Sequence, residues 1–262
     1  MTSIVAWAGV DTRGVSSVYI GSDSRISWGA RHTWDQGRKV FACASKPSIF
    51  GYWGDVLFPA LAIPVLVDRI DKAGISPSGE TVINVEQAVR SLWRDYPSKE
   101  RRDVGIIHAA RHGDGMLGKF AISILTYAAS SRTWKTTQVN MPHSSSLLRV
   151  AGSGAAAVRA THDLWQASSA RNTSRAIFSA FCEALRSGND AHSGGPPQLV
   201  GIYRIGAGRM YGVVHNGQRY FAGSHLPGNE IPEGIEWRNE LFERIDGHKK
   251  QRLVGGQRHS PR

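Results

Sequence analysis

Four short runs of β-branched and aromatic residues lie within the first 55 positions, and they commit the start of the chain to a sheet before any helix begins. They span residues 3–10 (SIVAWAGV), 17–22 (SVYIGS), 39–44 (KVFACA) and 48–53 (SIFGYW). Asp11-Thr12-Arg13-Gly14 is a hairpin signal between the first two, and Ser45-Lys46-Pro47 a turn between the last two, so the sheet should be antiparallel. Gly54-Asp55 then opens a helix that should run to about Lys72, with a kink at Pro64. Asn84 caps a second amphipathic helix, with Val85, Ala88, Val89, Leu92 and Trp93 on one face. Strands are expected again over 104–108, 120–128, 134–139 and 147–150. The turn Ala151-Gly152-Ser153-Gly154 leads to helices over 155–166 and 174–185, and strands over 199–205 and 210–214 follow. The order sheet, two helices, sheet, two helices, sheet predicts an α+β fold: two stacked antiparallel sheets with helices on both outer faces, a four-layer αββα sandwich.

Beyond that core, IEWRNELFERI (235–245) predicts a helix in a C-terminal extension. The expected organisation is a main domain over 1–225, an extension with a helix over 226–247 and a basic, flexible tail over 248–262. Lysine plus arginine exceeds aspartate plus glutamate by 11, and five of those excess cations lie in the tail, which has no acid. Much of the imbalance is thus a solvated, flexible C-terminal tail, and removing it leaves +6 spread over the body. No zinc-finger spacing or RNA-recognition aromatic motif accompanies the charge, so a nucleic-acid partner is not expected. The longest apolar stretch, residues 56–67, holds two prolines and is too short to span a bilayer. No secretory signal is read at the start, which makes the expected location cytoplasmic. Cys43 and Cys182 are far apart and read as buried thiols. The histidines are scattered without metal-ligand spacing, so neither metal nor cofactor is expected.

Threonine at position 2 is the first residue that suggests chemistry. Removal of methionine before a small residue would leave Thr2 with a free α-amine beside its hydroxyl, a nucleophile carrying its own base. Ser22-Asp23-Ser24-Arg25 ends the second strand, Lys39 precedes the third, and Gly51-Tyr52-Trp53-Gly54-Asp55 leads into the first helix. Downstream stand Gly152-Ser153-Gly154 and Asp190-Ala191-His192-Ser193-Gly194. In this order the motifs resemble those of the proteasome β-subunit family of N-terminal nucleophile (Ntn) hydrolases, which includes bacterial HslV. The resemblance runs over roughly residues 2–220 and suggests a divergent bacterial homologue with the Ntn-hydrolase fold. Two departures stand out: Gly195 replaces the usual aspartate after Ser193-Gly194, and the first hairpin is longer than is typical.

By that resemblance Thr2 matches the nucleophile, Asp23 its carboxylate, Lys39 the activating lysine and Gly51 the oxyanion-hole amide. Ser153, Asp190 and Ser193 match the residues around the threonine amine. The chemistry is coherent, because an ammonium beside a threonine hydroxyl favours its alkoxide and a carboxylate holds that ammonium in place. Ile26, Ser27, Ile49 and Trp53 match the walls of the substrate site, which should prefer apolar side chains because none carries a charge. The implied function is a self-compartmentalised threonine peptidase. It would work as a homo-oligomer of stacked rings on peptides or unfolded proteins, with an ATP-dependent unfoldase as a further partner. The competing readings are a small-molecule amidohydrolase on the same fold and a catalytically silent assembly.

Overall fold

The computed structural model describes residues 2–28, 32–73, 84–228 and 230–261. The first half of the chain forms β1 (Ile4–Asp11), β2 (Gly14–Ser22), β3 (Ile26–Trp28), β4 (His32–Trp34), β5 (Val40–Ala42), β6 (Ser48–Gly54), α1 (Leu57–Lys72), α2 (Val85–Asp95), β7 (Val104–His112), β8 (Lys119–Ala128) and β9 (Thr133–Val139). The second half forms β10 (Ser146–Ala151), α3 (Ala155–Gln166), α4 (Ser174–Ser187), β11 (Gln198–Tyr203), β12 (Arg209–His215), β13 (Gln218–Phe221), β14 (Ser224–His225), β15 (Trp237–Asn239) and β16 (Arg244–Ile245). The architecture is α+β with antiparallel sheets, as expected. One sheet runs β10-β1-β2-β11-β12-β13-β14, with β15 and β16 attached through β12; a second runs β5-β6-β7-β8-β9. β3 and β4 form a separate hairpin, and the only parallel pairing among the described residues is β12 with β15.

Strand alternation places each apolar side chain. In β1, Ile4, Ala6 and Ala8 point to a core shared with Ile49, Ile107, Ile122 and Ile124 of the other sheet. Val5 and Trp7 point the opposite way, onto Ile177, Phe178 and Phe181 of α4. Phe50 and Tyr52 of β6, with Leu125 and Tyr127 of β8, turn outward onto Phe58, Ile63 and Leu66 of α1 and Val89 and Trp93 of α2. Cores therefore lie between the two sheets and on the outer face of each.

Local signals act as the sequence implies at several ends. Asn84 Oδ1 accepts the Gln87 N–H at 3.0 Å and caps α2, and Asp55 Oδ2 accepts the Phe58 N–H at 3.3 Å in the first turn of α1. Helix α1 runs through Pro64 as one continuous element. Cys43 and Cys182 are buried free thiols, and burial pushes the Cys43 thiol up to about 12.

The C-terminal extension differs from expectation. Residues 235–245 form β15 and β16 rather than a helix, because β12 offers an open edge and Trp237 packs over Gly212, where a Cβ would sit 2.4 Å from its ring. Phe242 adopts φ +62° and inserts among Trp7, Tyr19 and Phe178, with ring centroids at 6.0, 5.3 and 5.4 Å. Tertiary packing has overridden helical periodicity here. In the tail, Lys250 Nζ donates to the Gly217 carbonyl at 2.7 Å, and the His259 N–H to Glu243 Oε1 of the extension at 2.6 Å. Among the described residues, no helix is long and apolar enough to cross a membrane.

Candidate functional site

The β1–β2 hairpin brings the start of the chain and the segment after Ser22 to one end of the sheet, since Ile4 pairs with Ser22. Ser3 N–H donates to Asp23 Oδ1 at 3.0 Å, and Asp23 N–H returns a bond to the Ser3 carbonyl at 3.0 Å. On one flank β10 pairs Ala151 with Ile4 and lays the following glycine turn against Thr2 and Ser3. A Cβ on Gly152, whose φ is +89°, would stand 1.7 Å from the Thr2 carbonyl oxygen. One on Gly154 would stand 1.9 Å from Ser3 Oγ. Only glycine permits this approach. On the other flank β11 pairs Gln198 with Ser22 and brings in the segment that carries Asp190 and Ser193.

At the centre lies an ion pair. Lys39 and Asp23 are both wholly buried, with Nζ 2.8 Å from Oδ1. Lys39 Nζ also donates to the Arg25 carbonyl. Asp23 Oδ2 accepts the N–H groups of Gly194 at 3.0 Å and Arg25 at 3.2 Å. Burial pushes the Asp23 carboxyl up and the Lys39 ammonium down, each disfavouring charge, while their mutual attraction and the backbone donors to Asp23 oppose both shifts. Thr2, two residues before β1, is fully buried as well.

A second chain of hydrogen bonds runs beside the first. Ser153 Oγ donates to Asp190 Oδ2 at 2.6 Å, Ser193 Oγ to the same oxygen at 2.7 Å, and Ser3 Oγ to Ser193 Oγ at 2.9 Å. Burial alone would raise the Asp190 carboxyl, but the Ser153 and Ser193 hydroxyls and the His192 N–H hold it below the ordinary value. The structure thus brings Asp23, Lys39, Ser153, Asp190 and Ser193 around residues 2 and 3, although their sequence positions span more than half the chain.

Other expected positions fall elsewhere. Gly51 lies inside the second sheet, opposite Val40 and Ile107. The same β6–β7 ladder carries Asp55 N–H to the Asp103 carbonyl and Arg111 N–H to the Pro47 carbonyl, so alternation directs the Gly51 N–H to Ile107. Its amide is therefore occupied in the sheet, which corrects the oxyanion-hole expectation. Glycine is needed there because a Cβ would sit 2.7 Å from Ile20 and 2.8 Å from Ile4. Ile49 is wholly buried between the sheets and cannot wall a substrate site. Trp53 packs against the same core, its ring covering Gly105. Ile26 and Ser27 do face open space: they line a cleft of about 980 Å³ with Trp28, Asp55, Leu57 and Tyr96.

Sequence reasoning missed Ser3, which joins the two networks, and Gln198, whose amide is buried against both Lys39 and Asp23. Arg25 of the Asp23-Ser24-Arg25 motif forks its guanidinium onto Asp35 at 2.7 and 2.8 Å. Among the described residues, no group of three or more His, Cys, Asp or Glu side chains is arranged to hold a metal.

No family model matches the chain, and no curated protein matches it. Among solved structures it is similar to a Gly-1 mutant of Anbu from Hyphomicrobium sp. strain MC1, at 12% identity and a TM-score of 0.49, over 80% of this chain and 87% of that one. It is also similar to Anbu, described as an ancestral beta-subunit, from Yersinia bercovieri, at 11% identity and a TM-score of 0.49, over 76% and 81%. Membership of the proteasome β-subunit and HslV family, which the motifs had implied, is therefore corrected. No family model supports it, and the two Anbu structures named above lie at a distance too great to carry an argument.

Proposed function

We propose that this protein is a hydrolase that cleaves peptide bonds with Thr2 as an N-terminal nucleophile. The observation that carries the reading is the wholly buried Lys39–Asp23 pair, tied directly to the backbone of Ser3. Burying an ammonium is costly, and its retention at the head of β1 fits a role in lowering the pKa of the neighbouring hydroxyl. Cleavage of the peptide bond before Thr2 frees an α-amine that takes the hydroxyl proton and later returns it to the leaving amine. The Ser153–Asp190–Ser193 network orients that amine, with Ser3 linking it to the Asp23 side. The proposed substrate entrance is the cleft lined by Ile26 and Ser27, which follow Arg25, whose carbonyl accepts from Lys39; Thr2 itself is buried and outside that lining.

In this reading the three cores separate the layers of an αββα sandwich of the Ntn-hydrolase type. Residues 1–225 carry the chemistry, and the following segment braces them. Exposed Trp34 and Leu61, outside that cleft, support burial between copies in a homo-oligomer of stacked rings, for which a particle of several hundred kilodaltons is the expected size.

Intact mass after incubation with a peptide epoxyketone tests the nucleophile. One adduct on a chain that begins at Thr2 is expected, and Thr2→Ala should remove both the adduct and peptide turnover while the protein stays folded. Turnover in Thr2→Ala, or a fully active protein that retains residue 1, would exclude the proposal.

A further inference from the structure

Gln198 opens β11, and no motif points to it. Its side chain is buried, and all of its hydrogen-bonding capacity but one acceptor lone pair is committed. Oε1 accepts the Lys39 N–H at 3.1 Å. Nε2 contacts the Asp23 carbonyl at 3.0 Å, Ser24 Oγ at 3.0 Å and the Gly37 carbonyl at 2.7 Å. One amide thus joins the two segments that carry the buried ion pair: the exit of β2 and the approach to β5. Neither segment is held there by sheet pairing, since β2 ends at Ser22 and β5 begins at Val40. The exit of β2 is also tied to Ser3 and Gly194, through Asp23 N–H to the Ser3 carbonyl and Ser24 and Arg25 N–H to the Gly194 carbonyl. Between the two segments, however, the other ties are Lys39 Nζ to Asp23 and to the Arg25 carbonyl and Gly37 N–H to the Ser24 carbonyl, with Tyr52 N–H holding the Lys39 carbonyl.

We propose that Gln198 is a positioning residue, which fixes the Lys39 ammonium against Asp23 by clamping the backbones of both. The inference rests on the reading of Thr2 and Lys39 given above and names a further residue for the same site. The geometry separates it from ordinary core packing. An amide is the side chain that both accepts from Lys39 and offers two N–H donors, shared among the Asp23 and Gly37 carbonyls and Ser24 Oγ. A carboxylate of the same shape keeps the acceptor and loses the donors; methionine loses both.

The charged and titratable groups around Lys39 are Asp23 after β2, Arg25 beside it, Asp35 in the turn after β4, Asp190 before β11, Tyr52 on β6 and the Thr2 amine once freed. A glutamate at 198 would add one negative charge within this set, holding the ammonium protonated to higher pH. Methionine adds none and releases the clamp.

The experiment is the second-order rate of adduct formation with the epoxyketone from pH 5 to 10, on wild type, Gln198→Met, Gln198→Glu and Ser24→Ala, with melting temperatures alongside. Gln198→Met should react at least tenfold more slowly at neutral pH, with its alkaline limb moved to lower pH. Gln198→Glu should recover part of the rate and move that limb to higher pH. Ser24→Ala, which loses one contact of the same amide, should lower melting without moving either limb. Limbs unchanged in the folded Gln198 variants would overturn the proposal, as would failure of both to fold, since either result assigns Gln198 to the scaffold alone. Labelling that survives in Thr2→Ala would instead overturn the nucleophile, a result read from a different protein.

Discussion

Breaking the buried pair from either side should produce deficits with opposite pH dependence. Lys39 and Asp23 are both wholly buried and 2.8 Å apart. Asp23→Asn leaves the ammonium without its counter-ion, retaining the Arg25 carbonyl as acceptor. Removing one partner of a buried pair costs about 3–5 kcal/mol. For a chain of this size that lowers the melting midpoint by roughly 6–20 °C. Burial already pushes the Lys39 ammonium down, and without Asp23 it is pushed further. The folded variant then binds fewer protons than the unfolded chain as pH rises, so the deficit is full below the lowered folded value and shrinks as pH rises from it to the ordinary lysine value.

Lys39→Met is the mirror case. The stranded carboxylate keeps the N–H donors of Ser3, Arg25 and Gly194, so the deficit should lie at the low end of the same range. Burial pushes the Asp23 carboxyl up, so the folded form holds a proton that the unfolded chain releases. This deficit is full above the raised folded value and shrinks as pH falls from it to the ordinary carboxylate value. The double variant, with no buried charge left in the pair, should be more stable than either single one. Urea denaturation at intervals from pH 4 to 10 measures all three. Parallel pH profiles for the two single variants, or deficits below about 1 kcal/mol, the level of an exposed pair, would refute the argument.

Gly154→Ala should lower stability by about 1–3 kcal/mol, the usual cost of forced overpacking, because its Cβ would meet Ser3 Oγ at 1.9 Å; thermal unfolding reads this, and adduct formation should slow with it. Phe242→Ala should cost about 3–5 kcal/mol by emptying the space among Trp7, Tyr19 and Phe178, and limited proteolysis should then cut the chain within residues 226–261. Asp190→Asn should flatten the acid limb of stability. The Asp190 carboxyl is held below its ordinary value, so its contribution is present above the unfolded pKa and lost as pH falls through the folded one; an unchanged limb in acid denaturation would contradict this.

Much of the fold was legible because strand alternation and helix caps are local. Ile4, Ala6 and Ala8 against Val5 and Trp7 mark a strand buried on both faces, and Asn84 marks a helix start. The candidate site was legible as a set of motifs, since turns that approach a neighbouring backbone require glycine and leave Gly152 and Gly154 visible. What stayed hidden depends on distant partners. Alternation shows which face Gly51 takes but not that its N–H is turned toward β7. Ile49 reads equally as a pocket wall or as core until the second sheet is in place. The segment 235–245 carries helical spacing and yields to the open edge of β12. Gln198 is a single amide before an apolar run, with no pattern to mark it.

The flanking of the β1–β2 hairpin by β10 and β11 has a consequence for synthesis. Contacts of such long sequence separation form late, once the loop entropy between them has been met. Residues 2 and 3 are synthesised well before the segments that surround them, which end near residue 198, about 195 residues later. At a typical elongation rate of ~5–20 residues per second, the nascent chain spends roughly ten to forty seconds without an assembled centre. If the N-terminal residue is the nucleophile, it stays harmless to its own chain and its neighbours throughout that interval, and competence arrives together with the finished fold.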